Sequence, residues 1–455
     1  MYDIVLKNGL VIDPGNKIMG KLNLGIYGDK ISCLTDSVIE GKTEYDCTGL
    51  VVTPGFIDIH AHEDKIEMNG LTKPVITALQ LRGGTTTFVG SQCGVGPLDE
   101  DEYTGIYDTL GQPVNMVLLT GHGALREAAG VKDKYGPVTE AELTAMGADL
   151  RKRMTAGSHG ITFGIRYIPG IDMKEMTTLA NIVREYDGIV AAHVRDDADN
   201  AIPALAEFLA VGLETGARLQ VSHIGSIAGY GKMQEALSMM DAAAARGVEI
   251  MSDCYPYNAF CTSIGSATFD GNFIARYGGD ITKIEITDGA EKGPVKSMAA
   301  FEEIRRENPQ YLAVAHVMRE EEIALALAHP RVLLGSDGVL ENGAGHPRAA
   351  GAFPKFLKEA IAKGSGAALY AAIEKMTWGT AKWLNLPKGK LSQGWAADIT
   401  VFSPEEVKDN ATFSQPLLPA EGFRYVLVGG KPAVENDRIV AGNLGRIIRK
   451  VYLPK

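Results

Sequence analysis

The stretch Gly55-Phe56-Ile57-Asp58-Ile59-His60-Ala61-His62-Glu63 decides the fold class, because an apolar run typical of a buried strand ends there in two histidines. Residues i and i+2 of a strand project to the same face. His60 and His62 are therefore predicted to point inward together at the strand's carboxyl end. Neutral imidazole is the commonest metal ligand among side chains, but a His-x-His pair also fits an ordinary turn, so the rest of the chain must distinguish the two.

Seven further apolar runs of strand composition follow at intervals of about 30 residues, and most precede an amphipathic helical segment. The helical segments include 139–155 and 232–246. The eight strand-like runs span 55–62, 85–93, 115–121, 160–164, 188–193, 219–223, 248–254 and 332–337. Eight such units predict an α/β fold, a (β/α)8 barrel of the TIM type, with its active site at the carboxyl ends of the strands.

The two ends of the chain alternate apolar and polar residues between turn signals, which is typical of short strands. We expect both ends to pair into one small β-sandwich, formed by residues 1–52 and 386–455, beside a barrel of residues 53–385. Residues 258–311 are too long for a simple connection between the last two barrel strands and include a glycine-rich, charged stretch. They are predicted to form an insertion above the barrel mouth, either a lid or a solvated excursion without a catalytic role.

Composition narrows the classes of partner. The net charge is −11, and 22% of the residues are charged, which disfavours nucleic acid or an anionic membrane surface and favours a small-molecule substrate. Five scattered cysteines do not form a disulfide framework, so a reducing compartment is expected. The N-terminus resembles no secretory signal and no apolar run is long enough to span a membrane. The sequence thus predicts a cytoplasmic protein and leaves its oligomeric state open.

Residues that can bind a metal recur at the predicted strand ends. Each alone has an ordinary explanation, such as a small buried cysteine, a core histidine or a helix cap. Together they offer the nitrogen, sulfur and oxygen donors of one or two divalent metals. These residues are His60 and His62 on strand 1, Cys93 on strand 2, His193 on strand 5, His223 on strand 6 and Asp337 on strand 8.

Several motifs carry a resemblance that covers nearly the whole chain. They are PGFIDIHAH (54–62), GTTT (84–87) leading to QCGV (92–95), AHVRDD (192–197), VSH (221–223), DCYPY (253–257), GSDG (335–338), GHPR (345–348) and GAFP (351–354). The pattern resembles the amidohydrolase superfamily and, within it, the D-aminoacylase (N-acyl-D-amino-acid deacylase) family. The His-x-His segment and the tail 389–402 mark the superfamily, whereas Cys93 and the segment 346–348 indicate the narrower family.

The resemblance implies a zinc enzyme. Cys93, His193 and His223 would hold the tighter metal, with the Cys93 thiolate in place of the carboxylated lysine of most two-metal relatives. His60, His62 and Asp337 would form a second site, weaker or sometimes empty. Thiolate combined with imidazole favours zinc over cations that prefer oxygen.

The same resemblance assigns roles around the metal. Asp337 would act as general base and then general acid, and Tyr255 would donate a hydrogen bond to the carbonyl oxygen of the scissile amide. Arg348 would pair with the α-carboxylate of the substrate, with Tyr257 also in the substrate-binding set. The implied reaction is hydrolysis of N-acyl-D-amino acids, and the preference for the D form rests on the resemblance alone.

The chain departs from the family's pattern at two places that bear on substrate recognition. The family often has His-His-Lys after strand 6, but here His223 is followed by Ile-Gly, and residues 258–262 replace a small Gly-Ser-Thr sequence. One alternative is a cyclic amidase of the hydantoinase or dihydroorotase kind, or an unusual dipeptidase. Cys93 and Arg348 disfavour it. Another alternative is a non-catalytic binding barrel, which the intact ligand set disfavours because buried polar groups without a use are costly.

Overall fold

The computed structural model of the chain describes residues 1–64 and 74–451. Its strands form four groups in chain order, in four successive parts of the sequence. The first group is β1 (Tyr2–Asp13), β2 (Ile18–Tyr27), β3 (Lys30–Thr35), β4 (Gly41–Asp46) and β5 (Val51–Pro54). The second is β6 (Phe56–Asp58), β7 (Thr85–Gly90), β8 (Asn115–Leu118), β9 (Thr120–Gly121), β10 (Gly160–Gly164), β11 (Ile189–His193), β12 (Arg218–Val221) and β13 (Ile250–Cys254). The third is β14 (Phe260–Ser263), β15 (Ile284–Ile286), β16 (Gly293–Pro294), β17 (Leu312–Ala315), β18 (Val332–Leu334), β19 (Leu340–Glu341) and β20 (Ala344–Gly345). The last is β21 (Ile399–Phe402), β22 (Phe423–Val428), β23 (Lys431–Glu435), β24 (Arg438–Ile439) and β25 (Ile447–Ile448).

The helices lie mainly between the strands of the second and third groups. They are α1 (Ile76–Arg82), α2 (Glu100–Leu110), α3 (His122–Ala128), α4 (Glu140–Ala156), α5 (Met173–Glu185), α6 (Ala201–Thr215), α7 (Ile224–Ala228), α8 (Met233–Ala245), α9 (Phe273–Arg276), α10 (Met298–Glu307), α11 (Glu320–Ala328), α12 (Arg348–Ala362), α13 (Gly366–Met376) and α14 (Trp378–Leu384). The predicted helix 139–155 begins at a capping box, in which the Thr139 side chain accepts from the Glu142 amide and the Glu142 side chain accepts from the Thr139 amide.

Eight parallel strands form the barrel. β6, β7 and β8 pair in that order, and β10, β11, β12, β13 and β18 pair in a second row that β9 extends. The rows meet on one side where the His159 amide donates to the Leu118 carbonyl at 2.9 Å. On the other side, Ala61 and Gly338 form a parallel bridge. The ring closes in this order, which confirms the predicted (β/α)8 barrel.

The first barrel strand is shorter than predicted. Regular structure in β6 ends at Asp58, because its carboxylate accepts a hydrogen bond from the His60 amide at 3.1 Å and turns the chain. The prediction that His60 and His62 share the strand is therefore wrong. They lie in the segment just after it, where the bridge at Ala61 holds the backbone against the end of β18.

The expected β domain at the chain ends is confirmed, as one hydrogen-bonded sheet of nine strands. The twelve-residue β1 joins its parts, because its first half pairs with β4 and its second half with β5. β5 in turn pairs with β21 near the C-terminus. The boundaries at residues 52 and 386 stay a prediction. β5 carries the sheet to Pro54, and β25 returns to pair with β8 of the barrel.

The predicted insertion after β13 is a packed unit. Its strands β14 and β15 flank β17 in antiparallel pairing, and β16 pairs with β15. The side chains of Phe269, Phe273 and Phe301 form its aromatic core, with ring centroids 4.8 to 5.4 Å apart. Whether the insertion acts as a lid stays a prediction.

Two other expectations concern the chain as a whole. All five cysteines are free, in agreement with the absence of a disulfide framework. Within the described ranges, no helix has the length and apolar character needed to cross a membrane.

Candidate metal centre

The six predicted ligands meet at the carboxyl ends of the barrel strands. They form two groups in which the donor atoms lie within 4.8 Å of one another, and Cys93 belongs to both. The first group is His60, His62, Cys93 and Asp337, and the second is Cys93, His193 and His223. The sequence thus identified residues that the fold brings together from five different strand ends.

Cys93 lies at the junction of the two groups. Its Sγ is 3.5 Å from His60 Nε2 and 3.3 Å from His223 Nε2. Burial would raise the pKa of the thiol, but the neighbouring charges of His223 and His60 hold it well below its ordinary value. A thiolate is the form in which cysteine binds metal, so Cys93 could serve as a metal ligand in either group.

The donor set fits zinc. It combines a thiolate, imidazoles and one carboxylate, all turned toward the same point, which is the chemistry that Zn²⁺ prefers. The buried Nδ1 of His193 has no hydrogen-bond partner among the described residues. The Nδ1 atoms of His122 and His159 are unpaired as well and belong to neither group, so the assignment of His193 rests on its closeness to Cys93 and His223.

Asp337 links the first group to a buried arginine. One carboxylate oxygen lies 3.4 Å from His60 Nε2 and 3.2 Å from His62 Nε2, and the other forms an ion pair with Arg348 Nη2 at 2.9 Å. Burial would raise the pKa of Asp337, but the guanidinium of Arg348 and the nearby histidines hold it well below its usual range. The carboxylate is therefore kept ionised in an enclosed position.

The backbone at three of these residues is in the left-handed region. The φ angles are +56° at Cys93, +35° at His223 and +50° at Asp337. This conformation is rare for residues other than glycine and costs on the order of 1–3 kcal/mol each. Each residue follows a strand end, at β7, β12 and β18, where the unusual turn directs the side chain toward the barrel axis. The fold thus fixes these side chains before any ligand binds.

A carboxylate that we did not single out supports the ligands from behind. Asp253, at the end of β13, has Oδ2 3.1 Å from His60 Nδ1 and accepts from the His223 amide at 2.9 Å. The hydroxyl of Ser226 lies 2.8 Å from His223 Nδ1. A charged residue inside the apolar run 248–254 was the sequence signal for Asp253, because such a residue needs polar partners when it is buried.

A cavity of about 1020 Å³ opens above the centre. The ligands His62, Cys93, His193, His223 and Asp337 line its base. Phe260 of the insertion and Leu312 of β17 form one wall, and Val75 and Ile76 at the start of α1 form part of another. The insertion therefore shapes the space in which a substrate would sit.

Three residues predicted to contact substrate lie outside this lining. Arg348 is 1% exposed, with its Cζ 4.5 Å from the centre of the Tyr255 ring, and Tyr255 is fully buried. The Tyr257 ring packs against His346, with centroids 5.1 Å apart. The first turn of α12 holds these groups behind Asp337, in a position that sequence spacing did not reveal.

Tyr167 is a second residue that we did not single out from the sequence. It lines the cavity, its ring centroid is 4.7 Å from that of His193, and its hydroxyl is 3.5 Å from Thr262 Oγ1. Burial raises the pKa of Tyr167 far above its ordinary value, so its hydroxyl keeps its proton and can donate. It follows β10 in a turn without any motif, so sequence patterns could not have identified it.

Comparison with known proteins agrees with this geometry. Residues 51–433 match the model of the amidohydrolase family. A D-aminoacylase of Alcaligenes xylosoxydans xylosoxydans is 29% identical over 480 residues, covering 99% of this chain and 98% of the relative. An N-acyl-D-glutamate deacylase of the same organism is 30% identical over 483 residues, covering 98% of this chain and 96% of the relative.

Solved structures extend the similarity to three dimensions. The N-acyl-D-glutamate deacylase of Bordetella bronchiseptica, complexed with zinc and a phosphonate inhibitor, matches with a TM-score of 0.87 and 27% identity, covering 98% of this chain and 99% of its own. A D-hydantoinase from Thermus sp. shares the fold at 19% identity and a TM-score of 0.65. The family model and the similarity to deacylases along nearly the full length agree with the cysteine-centred geometry, and the chain belongs to the amidohydrolase family and, within it, to the D-aminoacylase family.

Proposed function

We propose that this protein is a zinc-dependent amidase of the cytoplasm that hydrolyses N-acyl-D-amino acids. The observation that carries the proposal is the pair of ligand groups joined by Cys93, beside the ionised Asp337 at the base of a large cavity. The named activities of the D-aminoacylase and N-acyl-D-glutamate deacylase relatives support the choice of substrate. Small molecules are the proposed partners, rather than nucleic acid or a membrane.

The chain offers one site to a tighter zinc ion and one to a weaker ion. Cys93, His193 and His223 would hold the first, and His60, His62 and Asp337 the second, with Cys93 close to both. Bound zinc lowers the pKa of a coordinated water to about 7 and polarises a carbonyl group. The task of the remaining residues is to move the proton, hold the substrate and keep bulk water away.

Asp337 is placed to carry the proton. Its carboxylate faces the cavity and the ligand groups, and Arg348 keeps it ionised at neutral pH. We infer that it accepts the proton of the attacking water and then gives it to the leaving nitrogen, as general base and general acid in turn. The same ion pair limits rotation of the carboxylate, because one of its oxygens is held by Arg348.

The carbonyl oxygen of the scissile amide needs a donor as negative charge develops on it. Tyr255, the residue expected from the sequence, lies under Arg348 and away from the cavity, so we propose that it supports the guanidinium instead. We assign the donor role to Tyr167, whose hydroxyl is protonated and faces the cavity.

Although Arg348 is buried behind Asp337 and outside the cavity lining, we propose that it remains the partner of the substrate carboxylate. Its Nε and Nη1 have no hydrogen-bond partner among the described residues, so part of its planar fork is free. Such a fork matches a carboxylate. Tyr257 lies nearby against His346 and is proposed to shape this region rather than to touch the reacting atoms.

The cavity favours an apolar substituent on the substrate. Phe260, Leu312, Val75 and Ile76 contribute apolar surface. The described lining includes the acidic residues Glu63, Asp64, Asp197, Asp337 and Glu341 but no lysine or arginine. Arg348 and Arg276 pair with Asp337 and Asp197 from outside the lining. An acidic side chain would face like charges, which disfavour binding.

The first test is a substrate panel on zinc-loaded protein. We expect release of free D-amino acid from N-acetyl-D-methionine and N-acetyl-D-leucine, and kcat/KM at least about tenfold lower for N-acetyl-D-aspartate and N-acetyl-D-glutamate because like charges repel. The matching L-amino acid derivatives, a hydantoin and dihydroorotate serve as controls, with amine release and ring opening as the readouts. Turnover of the cyclic amides alone would contradict the deacylase proposal.

Removal of the proton carrier gives a second prediction. Asp337→Asn should lower kcat by about a hundredfold to ten-thousandfold, because general acid–base catalysis contributes that much. The tighter zinc ion should remain, since Cys93, His193 and His223 are unchanged, and metal analysis checks this. Asp36→Asn, on the exposed surface, is the control. A variant that keeps its full kcat would exclude Asp337 as the base.

The role of Cys93 predicts a spectroscopic signature. Metal-free protein titrated with Co²⁺ should show a thiolate-to-metal band in the near ultraviolet, and Cys93→Ser should abolish it because a hydroxyl gives no such transition. Cys261 also lines the cavity but belongs to neither ligand group, so Cys261→Ser is a matched control that should keep the band. A band that survives in Cys93→Ser would rule out the shared thiolate.

The contact of Arg348 with Asp337 and its proposed contact with the substrate carboxylate can be tested separately. Arg348→Lys keeps the charge beside Asp337 but loses the planar fork, so KM for an N-acyl-D-amino acid should rise by about tenfold or more, the value of one charge-assisted hydrogen bond. The carboxamide analogue of the same substrate, which has no carboxylate, should be affected far less. Equal losses in kcat for both substrates would show instead that Arg348 acts only through Asp337.

A further inference from the structure

A chain of buried hydrogen bonds runs from the metal centre to a tryptophan on the last helix beside the barrel. It passes through Asp253 and Gln220 to Trp383 of α14. Gln220 Nε2 donates to Asp253 Oδ1 at 3.0 Å, and Trp383 Nε1 donates to Gln220 Oε1 at 3.1 Å. Gln220 and Asp253 are fully buried, and Trp383 is 9% exposed.

The hydrogen bonds in this row all run in one direction, because the last member, the Trp383 indole, can only donate. An indole N–H has no acceptor atom. The Gln220 amide must therefore present its oxygen to Trp383 and its NH₂ group to Asp253. An amide with the reverse orientation would place two donors face to face at the indole and leave its oxygen against the carboxylate.

The orientation of the Gln220 amide also determines how Asp253 faces the candidate ligands His60 and His223. With one oxygen of Asp253 held by Gln220, the other accepts from the His223 amide at 2.9 Å. The same oxygen lies 3.1 Å from His60 Nδ1, a close charge contact that is not aligned as a hydrogen bond. A carboxylate oxygen at this point favours a proton on His60 Nδ1. His60 Nε2, which lies 3.5 Å from Cys93 Sγ and 3.4 Å from Asp337, is then left with its lone pair toward the centre.

We propose that Trp383 and Gln220 are positioning residues that set the tautomer of His60 and hold the His223 backbone through Asp253. The inference rests on the metal centre of the proposed function and adds two residues that touch neither metal nor substrate. Partners behind a ligand histidine fix its tautomer and orientation, and their loss typically weakens metal binding by about 10–100-fold. The tryptophan contributes its N–H, whereas its ring packs under Arg218.

The test is zinc affinity, measured by competition with a chelator on the full-length protein. Trp383→Phe keeps an aromatic ring under Arg218 and removes the N–H. It should raise the dissociation constant of the more weakly bound zinc ion by about tenfold or more. Trp378→Phe is the matched control, because Trp378 belongs to the same helix but packs against Trp395 instead. It should bind zinc as the wild-type protein does.

Gln220→Glu tests the hydrogen bond to Asp253 without changing the size of the side chain. It keeps the size of the side chain but replaces the donor toward Asp253 with a second carboxylate oxygen, so zinc affinity should fall even where the unfolding midpoint of the metal-free protein is unchanged. Wild-type zinc affinity in both Trp383→Phe and Gln220→Glu would overturn the proposal, whatever happens to stability. Because the assay needs no substrate, a protein that binds zinc but fails the substrate panel would disprove the proposed function and leave this result standing.

Discussion

The closure of the barrel and the assembly of its metal centre depend on the same contact. The Asp337 amide donates to the His60 carbonyl at 2.6 Å, and the His62 amide donates to the Gly338 carbonyl at 3.0 Å. These bonds join the end of the last strand to the segment after the first. Asp58 reinforces them, since its carboxylate accepts from the Ser336 amide at 2.9 Å. Since backbone groups of three proposed ligands, His60, His62 and Asp337, close the ring, their side chains meet only when the barrel is complete.

Charge in the barrel mouth is balanced locally rather than by solvent. Arg348 faces Asp337, the histidines face Cys93, and Asp253 lies behind His60 and His223. Each group would be costly to bury alone, and the cost falls only when its partner is in place. The left-handed backbone at Cys93, His223 and Asp337 has a related meaning, because the surrounding packing must hold conformations that these residues would otherwise avoid. The folded barrel therefore supplies the free energy that holds these buried charges and strained backbone conformations in place.

The sequence predicted the architecture and the gathering of six candidate ligands at the barrel mouth, because both depend on local signals. Strand β10 was predicted at its observed bounds, and each candidate ligand follows a strand-like run. Prediction failed where the outcome depended on packing between distant segments. The end of β6 at Asp58 depends on a turn made by a side chain, and the burial of Arg348 depends on how α12 sits behind Asp337. Tyr167 and Trp383 had no motif, since their positions follow from tertiary contacts alone.

The pairing of the two chain ends also has a consequence for how the protein is made. β5 leaves the ribosome early, yet its neighbour β21 is among the last segments to be translated. Until then the edge of β5 carries unpaired amide and carbonyl groups, which are prone to pair with other chains. Long-range pairing of this kind is slow to form. The edge of β5 that later pairs with β21 must therefore remain unpaired throughout synthesis of the barrel. This is the period in which the first strands most need protection by chaperones.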